Sequence, residues 1–74
     1  MKKAQNKVTL KVAANIKAIR ERRNLTQAEA SKGAGINRAI WGFIEQGRTS
    51  PSLNTLIKVS KGLNCPLRDL FKGL

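Results

Sequence analysis

The chain has no histidine, one cysteine and only four acidic residues among 74. Without histidine there is no imidazole for acid–base catalysis and no His-ligated metal. A single cysteine, Cys65, forms neither an internal disulfide nor a Cys-rich zinc site, and it fits a reducing compartment. No apolar run approaches the roughly 20 residues that a membrane span needs. The start, Met1 to Lys7, is basic but has no apolar segment of signal-peptide length behind it. These absences point to a cytoplasmic, soluble protein with no metal and no cofactor. An enzyme is not expected, because no base, nucleophile pair or metal set is present.

What is abundant is positive charge. Fifteen Lys and Arg against four Asp and Glu give a formal net charge of +11. Such a surface suits a polyanionic partner, nucleic acid before an anionic membrane. The charge is unevenly placed. Residues 1–23 carry +7, residues 24–46 are neutral, and residues 47–74 carry +4. A neutral middle between basic ends implies that the middle does something other than generic attraction. At 8.1 kDa the chain holds one thin core, with no room for a small-molecule pocket of useful size.

The pattern is helical throughout, so the fold class is all-α. Residues 1–8 read as a basic arm and residues 9–74 as one domain. Lys2, Lys3 and Lys7 suit either an arm that follows a groove or a solvated tail. Val12, Ile16 and Ile19 form a helical stripe, and the first helix is expected from Leu10 to Arg23. Asn24 suits a left-handed exit. Thr26-Gln27-Ala28-Glu29 is a capping box that starts a second helix at Gln27. That helix is expected to be short, because Gly33 and Gly35 follow within two turns, with Gly35 as the natural turn residue. Gly33-Ala34-Gly35 is not read as a nucleotide loop, since no strand precedes it and the glycine spacing is wrong.

Asn37 caps a third helix over Arg38–Gln46, halted by Gly47. Its spacing puts Trp41, Ile44 and Glu45 on one side, with Ala39, Gly42, Phe43 and Gln46 on the other, and Arg38 and Ile40 on the flanks. Leu53, Leu56, Ile57, Ser60 and Leu63 mark the buried stripe of a fourth helix, ended by Asn64. Pro66 opens a fifth, with Leu67, Leu70, Phe71 and Leu74 on its apolar side. The second and third helices, joined by a short turn, have the dimensions of a helix-turn-helix whose last helix fits the DNA major groove.

Four segments match a known pattern in order: Leu25-Thr26-Gln27-Ala28-Glu29, Gly35-Ile36-Asn37-Arg38, Ile44-Glu45-Gln46-Gly47-Arg48, and Pro51-Ser52-Leu53-Asn54-Thr55-Leu56. Over about residues 10–71 the chain resembles the phage-repressor and Cro type of helix-turn-helix, the XRE family. The resemblance implies a five-helix, lambda-repressor-like DNA-binding domain, usually dimeric, of bacterial or phage origin and acting at the nucleoid. It implies that Gln27 holds a DNA phosphate and that Arg48 contacts another. It also implies a salt bridge between Arg20 and Glu45 joining the first and third helices, and base reading by Arg38 and Ala39. Ala30 and Trp41 depart from the usual residues as a smaller and a larger side chain that exchange volume. Gly42 and Phe43 depart as well.

Arg38 suits a bidentate contact to guanine, or else a phosphate. Phe43 suits pressure on a thymine methyl, packing against a neighbour, or a dimer contact. Ala39 and Ile40 suit base contacts that extend an apolar, methyl-reading surface, and Ile40 is the most suited of the three to half-burial. Thr26 and Asn37 are caps that also suit backbone contacts, and Gln46 reaches outward. Leu67, Leu70, Phe71 and Leu74 are expected to supply a homodimer interface in addition to core packing, placing two reading helices about 34 Å apart on a palindromic operator. The expected function is a small stand-alone repressor or controller. The competing reading is an antitoxin-like protein-interaction module that also binds DNA.

Overall fold

The structure is a computed structural model that describes residues 6–74. The chain folds as four helices, α1 (Lys7–Arg22), α2 (Gln27–Ala34), α3 (Arg38–Glu45) and α4 (Leu53–Leu63), followed by a 3-10 segment, Leu67–Phe71.

Each helix begins on a side-chain cap. Asn6, Thr26, Asn37 and Ser52 accept hydrogen bonds from backbone N–H groups of the first turn, which satisfies donors with no partner inside the helix. Thr26 and Glu29 form the full capping box. The helix ends are equally uniform. Asn24, Gly35, Gly47 and Asn64 all lie in the left-handed region. In each case the next residue donates back to the carbonyl five positions earlier, as Leu25 does to Arg20, Ile36 to Ser31, Arg48 to Phe43 and Cys65 to Ser60. This is the Schellman closure. Leu25, Ile36 and Cys65 then pack on the core, so three exits turn the chain inward.

The start of α1 differs from the sequence expectation. It begins at Lys7, because the Asn6 side chain caps Thr9 N–H at 2.7 Å. Residues 7 and 8 therefore belong to the helix and not to an arm. The arm reading of Lys2 and Lys3 falls outside the described residues.

The end of α2 falls at Gly35, the expected turn residue, and Gly33 lies inside the helix where α2 and α4 approach closely. A Cβ on Gly33 would sit 3.6 Å from the Gly62 Cα, whereas one on Gly62 would meet the Ala30 carbonyl oxygen at 2.6 Å and the Ala34 Cβ at 2.7 Å. Glycine at 62 is required for this crossing. The core is formed by Val12, Ile16 and Ile19 from α1, Ala30 and Ala34 from α2, Trp41 and Ile44 from α3, and Leu56, Val59 and Leu63 from α4. Ala30 and Trp41 are both fully buried in it. On α4 the buried stripe is Leu56, Val59, Ser60 and Leu63. Leu53, expected inside, is 61% exposed, because as the first residue of the helix it overhangs the end of the core.

The expected fifth helix is a single 3-10 segment, so the described residues form four α-helices and not five. Pro66 provides no side-chain cap, and Gly73 turns the chain at φ +82°. Residues three apart eclipse in this geometry, so Leu67 and Leu70 share one side. Leu70 enters the core, and Asn15 of α1 donates to the carbonyls of Leu70 and Lys72, both at 2.9 Å. Among the described residues no helix is long and apolar enough to cross a membrane.

Candidate nucleic-acid interface

Caps Thr26 and Asn37 stand eleven residues apart, leaving α2, a left-handed turn at Gly35, and the start of α3. The orientation of α3 is fixed from below by one carboxylate. Glu45 Oε2 accepts from Arg20 Nε at 2.5 Å and from Trp41 Nε1 at 2.6 Å. Its Oε1 accepts from Gln27 Nε2 at 2.9 Å and from Arg20 Nη2 at 3.2 Å. Arg20 Nη1 donates in turn to the Leu25 carbonyl at 2.8 Å. One buried group thus ties α1, the α1–α2 turn, α2 and α3 together. Charge-assisted bonds of this kind are the strong ones.

Burial pushes the Glu45 carboxyl up, but the hydrogen bonds from Arg20, Gln27 and Trp41 and the Arg20 charge outweigh it, leaving the group below the usual carboxylate range. The hydrogen bond to Glu45 holds the Arg20 guanidinium above its ordinary value, against its own partial burial. The second carboxylate of the neutral middle, Glu29, accepts from Thr26 N–H. Both negative charges of this segment are engaged inside the protein, and neither is spent on the outward face of α3.

That outward face carries Arg38, Ala39, Ile40, Phe43 and Gln46, all exposed. Trp41, Ile44 and Glu45 face inward. Gly42, expected outside, is buried. The ends of two side chains lie over it: a Cβ there would meet Arg38 Nη1 at 3.4 Å and Gln27 Oε1 at 4.0 Å. Ile40 and Phe43 are 49% and 44% exposed, so half-burial does not single out Ile40. Arg48 lies just beyond α3, with its guanidinium carbon 5.1 Å from the Phe43 ring centroid and its Nη1 3.3 Å from Gln46 Oε1. Asn37 Oδ1 is engaged by the N–H groups of Ala39 and Ile40, and Thr26 Oγ1 by that of Glu29. Arg38, Ala39, Ile40, Phe43, Gln46 and Arg48 thus form one surface, and Gln27 borders it at the N-terminus of α2.

The residues assigned to a dimer interface separate. Leu70 is fully buried within one chain and is a core residue; the 3-10 geometry turns it inward. Leu67 and Phe71 pack partly on the core, and Leu74 is 62% exposed. Val8 and Leu10 on α1 are further exposed apolar residues that the sequence reading did not mark.

Two bonds to Glu45 escaped the sequence reading. Trp41 was read as packing alone, although its i, i+4 spacing to Glu45 allows the indole N–H to reach the carboxylate. Position and type at the start of α2 suit Gln27 to a phosphate contact or to ordinary capping chemistry, and no sequence signal connects it to Glu45. The Cys65 thiol is partly buried, and burial with the nearby Asp69 charge pushes it up, in keeping with an inert thiol.

A helix-turn-helix family model matches residues 16–70. The chain is 36% identical over 56 residues to an uncharacterised HTH-type transcriptional regulator of Archaeoglobus fulgidus, covering 76% of this chain and 79% of the relative. It is 42% identical over 52 residues to the immunity repressor protein of Bacillus phage phi105, covering 70% of this chain and 36% of the repressor. Among solved structures it resembles the restriction-modification controller protein C.AhdI from Aeromonas hydrophila, with a TM-score of 0.82, 25% identity, and coverage of 85% of this chain and 96% of that one. An HTH_3 family transcriptional regulator from Vibrio cholerae gives a TM-score of 0.83 at 30% identity, over 86% of this chain and 36% of that one. The chain belongs to the helix-turn-helix family, XRE type.

Proposed function

We propose that this protein is a sequence-specific DNA-binding transcriptional regulator that lays α3 in the major groove of operator DNA. The observation that carries the reading is the two-sidedness of α3. Its inner face is locked to α1 and α2 through Glu45, and its outer face presents Arg38 at the helix start with no exposed carboxylate on that face. A reading helix contacts base edges with its N-terminal residues, and Arg38 offers a bidentate fork for guanine O6 and N7. Its relatives are named as transcriptional regulators and a repressor, which supports the same assignment.

Contacts to the sugar–phosphate backbone come from the rim. The N-terminus of α2 favours a phosphate through its free N–H groups and dipole. The Gln27 amide has one N–H engaged by Glu45 and a second to donate. Arg48 supplies a cation, and Thr26, Asn37 and Gln46 flank these positions. The basic ends of the chain add affinity without sequence information. The protein acts in the cytoplasm as a homodimer on a two-fold symmetric site, with Leu74 and the uncovered parts of Leu67 and Phe71 at the contact. Occupancy of a promoter then blocks polymerase, or recruits it from an adjacent site.

In-vitro selection of bound duplexes from a random pool tests this reading. A consensus with two inverted half-sites about one helical turn apart is expected. A pool that enriches no sequence contradicts it.

A further inference from the structure

The outer face of α3 is unusually rich in carbon for a helix that meets DNA. Phe43 sits near the middle of the exposed arc, with Ala39 about 40° to one side and Ile40 about 60° to the other at 100° per residue. Ile40 is 49% and Phe43 44% exposed, and neither belongs to the core. The strip is bordered by cations. Arg38 stands at the helix start, and the Arg48 guanidinium lies 5.1 Å from the Phe43 ring centroid. Arg48 is also held by Gln46.

A carbon surface edged by fixed positive charge calls for a partner that is polyanionic outside and offers small apolar groups inside. The major groove meets both requirements, because the C5 methyl of thymine is its apolar feature. A second copy of the same face does not, since a two-fold pairing would set Arg38 and Arg48 against their own like charges.

Building on the assignment of α3 as the reading helix, we propose that Ala39, Ile40 and Phe43 read C5-methylated pyrimidines, with Phe43 as the principal contact. Thymine and 5-methylcytosine present the same methyl at the same place in the groove. Phe43 has a second task as a positioning residue: stacking on its ring sets Arg48 beside the methyl-reading strip, at the height of the DNA backbone.

The test uses the full chain and the duplex obtained from random selection. Thymines are replaced one at a time by uracil, which removes the methyl and leaves every hydrogen-bonding atom in place. Cytosines are replaced in parallel by 5-methylcytosine. The wild type is expected to bind about fourfold more weakly when a contacted methyl is removed, the order of one apolar carbon returned to water. A loss on uracil substitution assigns the surface to thymine. A gain on cytosine methylation, with no uracil effect, assigns it to 5-methylcytosine.

Phe43→Ala is expected to abolish the response to the methyl. Phe43→Leu keeps an apolar body without the ring, and is expected to retain part of that response while losing the placement of Arg48, read as a smaller dependence of affinity on salt. Both substitutions fall on an exposed side chain, and circular dichroism checks that the fold is unchanged. A wild type indifferent to every uracil and every 5-methylcytosine overturns the proposal, as does Phe43→Ala with an undiminished methyl response. Loss of self-association in Phe43→Ala with no methyl effect overturns it in favour of a protein contact. A selection that enriches nothing overturns the operator reading itself, and this proposal with it.

Discussion

Replacing Glu45 by Ala removes one side chain and strands four donor atoms on three others. The carboxylate accepts two bonds from Arg20, one from Gln27 and one from Trp41. The side chains of Arg20 and Glu45 are 11% and 2% exposed. Breaking a buried pair by deleting one partner costs about 3–5 kcal/mol. Here the lower part of that range applies, because Arg20 keeps its bond to the Leu25 carbonyl and has Glu21 at 3.9 Å. Trp41 has no such relief. It is fully buried, and an orphaned indole N–H costs about 1–3 kcal/mol. Gln27 is half exposed and can turn to water.

Because these losses share one network they are not simply additive, and a total of about 3–4 kcal/mol is expected. A domain this small has about 4–11 kcal/mol in all, so the variant stands near the edge of folding. Its Tm should fall by about 12–30 °C at about 4–8 °C per kcal/mol. Glu45→Gln keeps one carbonyl acceptor and should lose about half as much. Replacing both Arg20 and Glu45 by Met should cost less than the sum of the single changes, since no uncompensated charge remains. Urea melts followed by circular dichroism measure the cost. The chain's one tryptophan, Trp41, reports the lost acceptor by its emission. A Glu45→Ala variant within about 0.5 kcal/mol of the wild type, with unchanged emission, would refute the role given to this carboxylate.

Three further perturbations have signs set by the structure. The folded Glu45 carboxyl is held below its usual range, so its contribution is fully present above the unfolded value of about 4.3 and is lost as pH falls through the folded value. The wild-type Tm should therefore drop on acidification below about pH 4, and Glu45→Gln should show a shallower drop over the same range. Gly62→Ala should destabilise the fold by about 1–3 kcal/mol from overpacking, because the new methyl would strike the Ala30 backbone and Ala34. Gly42→Ala should do the opposite, raising stability by about 0.5–1 kcal/mol in thermal melts, because the methyl meets only the ends of Arg38 and Gln27, at the ordinary contact distances of 3.4 and 4.0 Å.

Local chemistry was legible where it acts over a few residues. The caps Thr26 and Asn37, the left-handed exits at Asn24, Gly35, Gly47 and Asn64, and the inward face of Trp41, Ile44 and Glu45 follow from residue type and spacing. Elements were misread where a distant partner decides. Leu53 lies on the apolar stripe of α4 by spacing, but at the helix start it overhangs the core and is 61% exposed. Residues 67–71 have the composition of a helix, and the 3-10 form follows from the cap-less Pro66, the turn at Gly73 and the Asn15 amide on α1.

The site shows the same division. Exposure of Arg38, Ala39 and Phe43 follows from the helical period, whereas burial of Gly42 requires the side chains of Arg38 and Gln27 laid across it. Within the Glu45 network the pair with Arg20, 25 positions away, follows from the family resemblance, whereas the bond from Gln27, 18 positions away, follows from neither resemblance nor periodicity. The stacking of Arg48 on Phe43 depends on the Gly47 turn that swings Arg48 back over the helix end. Spacing gives Leu67, Leu70, Phe71 and Leu74 one apolar side, and only the packed fold assigns Leu70 to the core and leaves Leu74 exposed.

Under the proposed function, α3 reads sequence while the flanking charge supplies affinity. Equilibrium titrations of the wild type and Arg38→Ala against the selected operator and a scrambled duplex, at one fixed salt concentration, test it most directly. Loss of a bidentate contact worth about 1–3 kcal/mol should lower operator affinity by about 5-fold to 150-fold, with affinity for the scrambled duplex nearly unchanged. Equal losses on the two duplexes would contradict the claim and reduce Arg38 to one more phosphate contact.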